Sequence, residues 1–247
     1  VVVLVTLVLA TMVRIFLVAP FYIPSSSMED TLHVGDRVLV DRIGYHLHPI
    51  RRGDVVVFNG LDSWTAQPRH LGENIAVRAL RSLGAALGLA HTDGTDFVKR
   101  VIGLPGDEVR CCDAQGRMTV NGDPLDERSY LYRGDRPSDA PFDVIVPDGR
   151  LWVMGDHRHV SVDSRSHLGD PGGGTVPEDQ VVGRVFSVIW PLGHISGLGR
   201  PDTFGRLHRA GPANGGFAPY ALGLGLASPS VMSRSRSRYD GDKGRTR

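Results

Sequence analysis

The first thirteen residues, VVVLVTLVLATMV, carry no charge, and the run stays apolar as far as Ala19 apart from Arg14. As a helix, residues 1–13 cover about 20 Å and residues 1–19 about 29 Å, against a hydrocarbon core of roughly 30 Å. Arg14 falls near one end, where its stem can lie along the helix while its head reaches the headgroups. The pattern predicts a membrane anchor over 1–19, with its first part upstream of Val1. A cleaved leader fits less well. No small-x-small site precedes Phe21, and Pro20 would follow Ala19 at the cut.

Past Pro20 the pattern changes to short β-branched runs separated by turn residues. GDRVLVDRI (35–43) and GDVVVFNG (53–60) each open on a Gly-Asp turn. TDFVKRVIGLPGDEVRC (95–111) holds two more runs around Leu104-Pro105-Gly106, and RMTVNGDPLDE (117–127) contains Asn121-Gly122, the strongest short hairpin signal. APFDVIVPDGRLWVMGD (140–156) predicts two strands around Pro147-Asp148-Gly149, and QVVGRVFSVIWPLG (180–193) the last. Together these predict a mostly β domain built from hairpins over 20–200. Residues 73–90 are different: apolar positions recur at helical spacing around Arg78 and Arg81, which predicts a helix capping the β domain. From 201 to 247 the chain loosens. Its apolar, glycine-rich stretch 217–232 precedes a basic end, and a loose tail and a second membrane span both remain open.

Composition narrows the function classes. Lys plus Arg number 28 and Asp plus Glu 27, a net charge of +1 that gives no support to nucleic-acid binding. The two cysteines, Cys111 and Cys112, are adjacent, so no spaced disulfide framework exists, and two free thiols are expected in preference to a strained adjacent bond.

The segment FYIPSSSMEDTL (21–32) places three serines directly behind the anchor. A serine is a poor nucleophile until a base takes its proton. His157 and His159 are candidates, but two histidines without a third ligand or an orienting carboxylate specify neither a zinc site nor a triad. Lys99 is the other candidate. Strand alternation puts Phe97, Lys99 and Val101 on one face and Val98, Arg100 and Ile102 on the other. A lysine among apolar neighbours can have its pKa lowered by roughly 3–5 units and so serve as a base. A strand lysine that reaches solvent is the plainer reading of that segment alone.

Taken in order, IPSSSMEDTL, GDRVLV, RRGDVVVF, KRVIGLPGD and GDHRHVSVDSR resemble type I signal peptidases of the bacterial kind, over about residues 15–195. The resemblance implies an antiparallel β-sheet catalytic domain outside the cytoplasm behind an N-terminal transmembrane helix. It also implies a serine endopeptidase that cleaves signal peptides after Ala-x-Ala-type sites. By the same resemblance Ser27 corresponds to the nucleophile and Lys99 to the general base. Ser25 corresponds to an oxyanion donor and Ser161 to the serine that orients the lysine. Asp163 and Arg165 match a bracing pair, and Gly155 and Asp156 the turn that brings in the last box. Phe21, Ile23, Pro24, Met28, Leu32, Phe97 and Val98 would line the substrate groove. Expected partners are secretory preproteins and membrane lipid, with no nucleic acid, no metal, no cofactor, and the chain as a monomer. Three features depart from the common pattern: Ser26 replaces glycine; His157 replaces asparagine, with His159-Val160 in place of a more polar pair; and the paired cysteines lack the spacing of the disulfide seen in some relatives. A catalytically silent relative that binds exported proteins is the competing class; loss of the serine or the lysine would mark it, and both are present. A histidine-based signal peptidase would carry His where Lys99 stands.

Overall fold

The computed structural model describes residues 5–6, 18–60, 63–64 and 96–207. The architecture is easiest to build from β3 (Val55–Asn59), which lies inside an eight-stranded antiparallel sheet. Val55 and Val57 enter one core cluster with Ile23, Met28, Leu32, Val38, Val40, Val185 and Val188. Val56 and Phe58 enter another, with Trp64, Val101, Leu151, Val153, Val176 and Val181. Both faces of β3 are covered, which is why its sequence reads as an unbroken apolar run. β2 (Arg37–Asp41) alternates instead, with Val38 and Val40 buried and Arg37 exposed.

Around β3 the sheet runs β1 (Val18–Tyr22), β2, β11 (Val181–Trp190), β3, β4 (Asp96–Gly103), β9 (Arg150–Met154) and β10 (Val176–Pro177), with β12 (Ser196–Gly197) paired to β11. The late strand β11 therefore separates β2 from β3, although those two are nearly consecutive in the chain. β4 carries the predicted split of faces: Phe97 and Val101 pack into the second cluster, Val98 against the first.

A bulge after Val101 turns β4 toward a second, four-stranded sheet of order β7 (Asp123–Pro124), β6 (Thr119–Val120), β5 (Glu108–Cys111) and β8 (Phe142–Ile145). The corner is held by Asp107, fully buried, which accepts from Arg52 Nε (2.6 Å), Asn121 Nδ2 (2.9 Å) and the Leu104 N–H (2.8 Å). Asn121 and Gly122 both have positive φ, 54° and 82°, and join β6 to β7 in the two-residue hairpin that their sequence predicts. A third cluster, with Ile102, Val109, Met118, Val120, Tyr130 and Trp152, fills the space between this sheet and the large one.

Some expectations change. The strands flanking Pro147-Asp148-Gly149 both form, but β8 pairs with β5 and β9 with β4, so the turn crosses between sheets and closes no hairpin. Cys111 and Cys112 are joined as an adjacent disulfide, where free thiols were expected. Val18 and Ala19 open β1, paired with Asp41 and Val40, so the last two positions of the expected anchor are strand. Most of 1–19, and all of 73–90 and 217–232, lie outside the described residues. Among those described, no helix is long and apolar enough to cross a membrane. The chain divides into two units, Val1–Ala213 and Asn214–Arg247, and every described residue belongs to the first.

Candidate active site

Ser27 sits in a short 3-10 turn, Ser26–Met28, that follows β1. Met28 and Leu32, four residues apart, are both buried and joined by a Leu32 N–H to Met28 carbonyl bond of 2.8 Å. These two apolar anchors pin the turn to the core and leave the Ser27 side chain, 8% exposed, against β4. Lys99 projects from β4, opposite Val56 of β3, and is itself 4% exposed. Its Nζ lies 2.6 Å from Ser27 Oγ.

Burial disfavours the ammonium and lowers the Lys99 pKa to about 8; Asp163 and Asp156 act against this, and Arg165 adds to it. A lysine so poised is partly neutral near physiological pH and can accept the serine proton. Ser25 Oγ, on the exposed side, lies 3.3 Å from Ser27 Oγ.

The segment 155–165 closes the site. Gly155 admits no side chain: a Cβ there would stand 2.2 Å from Ser161 Oγ and 2.4 Å from the Ser27 carbonyl oxygen. The His157 N–H donates to that same carbonyl at 3.1 Å. Asp163, fully buried, accepts from the Gly155 N–H (3.0 Å) and from Arg165 Nε (2.9 Å) and Nη2 (2.8 Å). Burial opposes its ionisation, but Arg165 and the Gly155 N–H outweigh burial and hold the carboxyl below its ordinary pKa. Asp156 receives Arg100 through two bonds, Nε to Oδ1 at 2.8 Å and Nη2 to Oδ2 at 2.6 Å, and also the Thr31 hydroxyl.

The expected residues thus fall into groups. Ser25, Ser27, Lys99, Gly155, Asp156, Asp163 and Arg165 form one connected set. Ser161 lies buried beside Gly155, where its hydroxyl helps hold the Asp163 carboxyl ionised. Of the groove residues, Ile23, Met28 and Leu32 are 2%, 1% and 0% exposed and are core side chains instead of an open lining. Phe21 and Val98 are half-buried at the edge of that cluster, Pro24 is exposed, and Phe97 stacks on Phe58 in the other cluster. The His157 ring stacks on Tyr132 with centroids 3.8 Å apart, and the His159 ring is exposed. Neither ring hydrogen-bonds Ser27. A cleft of about 220 Å³ lined by Asp41, His48, Arg51, Asp54 and Arg184 contains none of these site residues.

Sequence reasoning missed Arg100 and Thr31. For Arg100 a signal existed: an arginine in the middle of an apolar strand needs a buried acid, and Asp156 supplies it.

Comparisons with known proteins place the chain in a family. The family model described as "Signal peptidase, peptidase S26" matches residues 1–190. A "Probable signal peptidase I" of Mycobacterium leprae is 39% identical over 215 residues, 76% of this chain and 74% of the relative. A "Signal peptidase I" of Mycobacterium tuberculosis is 37% identical over 220 residues, 81% and 71%. "Signal peptidase IB" of Staphylococcus aureus is 31% identical over 203 residues, 76% and 86%. With a family match over residues 1–190 and relatives 31–39% identical over about three quarters or more of this chain, the chain belongs to the signal peptidase, peptidase S26, family.

Proposed function

We propose that this chain is a membrane-anchored serine endopeptidase that removes signal peptides from exported preproteins, with Ser27 as nucleophile and Lys99 as general base. The observation that carries the reading is the 2.6 Å contact between Lys99 Nζ and Ser27 Oγ in a site where burial brings the lysine to a pKa of about 8. About one lysine in ten is then neutral at pH 7. Neutral Lys99 takes the Ser27 proton as Oγ attacks the scissile carbonyl. Charge developing on the carbonyl oxygen is met by the Ser25 hydroxyl and the Ser27 N–H, and donors placed there are typically a large part of catalysis. Protonated Lys99 then gives its proton to the leaving amine, and a water activated by the same lysine releases the acyl group.

Preference for small residues before the cut is what the family's pattern implies, because shallow pockets reject larger side chains by clash. On the domain plan, the residues before β1 supply the anchor, the β domain from Val18 to about 200 is the peptidase outside the cytoplasm, and 201–247 is a tail. Only the short strand β1 and four residues lie between that anchor and Ser27, so the nucleophile stays close to the bilayer.

The face turned to that bilayer is the end of the β1–β2–β11 edge. Tyr22 pairs with Arg37, and Arg37 with Trp190, in one row across three strands. Tyr22 and Trp190 are 53% and 51% exposed, and Val34, Leu192 and Ile195 lie open beside them. Aromatic side chains mixed with a basic group suit the headgroup region. A catalytically silent binding role is the weaker reading, because both dyad residues are present and in contact. The test is to incubate detergent-solubilised full-length protein with a preprotein and sequence the new N-terminus. A cut directly after a small-x-small motif supports the proposal; a cut elsewhere, or none, refutes it.

A further inference from the structure

Behind the site lies a charge network that the reaction does not use directly. Arg158 and Glu127 side chains are 2% and 3% exposed and form an ion pair from Arg158 Nη2 to Glu127 Oε1. The same Oε1 accepts the Tyr130 hydroxyl at 2.8 Å, while Oε2 has no hydrogen-bond partner among the described residues. The rest of the Arg158 guanidinium is spent on carbonyls: Nε on Gly155 (2.9 Å) and Nη1 on Pro137 (2.8 Å). Arg165 Nη2, in turn, holds the Arg158 carbonyl at 2.8 Å.

The segment that carries Glu127 grips the catalytic loop at further points. The Tyr132 N–H donates to the Asp156 carbonyl at 3.0 Å, its ring stacks on His157, and Asp135 accepts the His159 N–H at 3.1 Å. The Tyr130 ring lies 4.7 Å under the Arg100 guanidinium, which holds Asp156. The stretch after the β6–β7 hairpin is therefore a cradle for residues 155–159.

An arginine stays charged at any working pH, so a buried one holds its place only with a counter-ion. Glu127 supplies that charge, and Arg158 passes the restraint to the Gly155 carbonyl. Gly155 has no slack to absorb a shift, because it is wedged between Ser161 Oγ and the Ser27 carbonyl. We propose that Glu127 is a positioning residue for peptide-bond cleavage, acting through Arg158 and Gly155 on the register of Ser27 and Ser161. This rests on the Ser27–Lys99 reading.

The test uses the full-length protein in detergent with a preprotein substrate, measuring kcat, KM and Tm. Glu127→Ala is expected to lower kcat by about 10²-fold, the scale of a small misplacement at a reacting group, with KM within about twofold. Glu127→Asp keeps the counter-charge for Arg158 and recovers most of kcat, whereas Glu127→Gln keeps only an oxygen acceptor and stays low. Should Glu127→Ala fail to fold, the double variant Glu127→Met/Arg158→Met carries the test. An apolar pair of similar volume restores Tm, but leaves the Gly155 carbonyl without its donor and kcat low. Recovery of both Tm and kcat in the double variant would make the pair merely structural and overturn the proposal, as would a wild-type kcat in Glu127→Ala. Ser27→Ala in the same assay reads the dyad separately. Turnover by that variant refutes the Ser27–Lys99 reading, whereas a wild-type kcat in Glu127→Ala beside an inactive Ser27→Ala refutes only the positioning role.

Discussion

The backbone N–H of His157 donates a 3.1 Å hydrogen bond to the carbonyl of Ser27, so the Ser27 turn is tied directly to the loop that brings in Ser161 and Asp163. Ser27, the proposed nucleophile, is thereby fixed from two sides, by Lys99 at its hydroxyl and by this loop at its carbonyl. This contact is made by the main chain and so does not depend on which side chain stands at 157.

Gly155 is where that tie is tightest. Replacing it by alanine puts a methyl group 2.4 Å from the Ser27 carbonyl oxygen, a contact that backbone on both sides cannot relieve without moving. Gly155→Ala is expected to destabilise by about 1–3 kcal/mol, the range for overpacking, and to reduce cleavage by about 10²-fold. Gly169→Ala, which meets open space, should do neither. Urea melts and initial rates on the two variants check this, and an active Gly155→Ala would mean the loop has room.

The buried lysine gives both activity and stability a pH dependence. Neutral Lys99 is the active form, so kcat/KM should rise with pH through about 8. For stability the sign is the same. The folded pKa lies below the 10.5 of the free side chain, so between about 8 and 10.5 the unfolded chain binds more protons than the folded one. Stability attributable to Lys99 therefore increases across that window, and the full penalty of the buried ammonium applies below it. Lys99→Met should be inactive yet more stable than wild type at pH 7, by at most about 3 kcal/mol. That advantage should shrink as pH rises toward 10. Denaturant melts of the two proteins at pH 7 and pH 10 read it; a constant difference would place the lysine charge in solvent.

Ser25→Ala should cost about 10²–10³ in rate if its hydroxyl donates to the oxyanion, with little change in Tm, since Ser25 is exposed. A wild-type rate would reduce Ser25 to a linker residue.

How much of this was legible beforehand depended on range. β3 and β2 were readable because burial of both faces or of one face writes itself into local sequence, and the Asn121-Gly122 turn because its positive φ values demand those residues. The insertion of β11 between β2 and β3 was not, since pairing across more than a hundred residues leaves no local mark. Ser27 and Lys99 were paired only through the family's pattern. The Arg158–Glu127 pair escaped for a related reason: a buried ion pair between distant segments looks, in sequence, like two ordinary surface charges, whereas Arg100 in its apolar strand did carry a signal. Ile23, Met28 and Leu32 were assigned to the groove because an apolar residue lining a site and one filling a core have the same signature.

The exposed row Tyr22–Arg37–Trp190 predicts a lipid-dependent effect. Trp190→Ala should slow processing of a preprotein embedded in anionic lipid vesicles and leave the rate on a short soluble peptide in detergent unchanged. Equal rates in both settings would remove this face from the membrane.

The central claim is that Ser27 and Lys99 act as one unit, and the most direct measurement is the initial rate of preprotein cleavage by Ser27→Ala, Lys99→Ala and the double variant beside wild type. The account predicts that each single change lowers the rate by at least about 10⁴-fold, that the double change is no worse than either single one, and that all three remain folded. Lys99→Ala retaining a substantial fraction of wild-type turnover, or the two losses adding in the double variant, would contradict it.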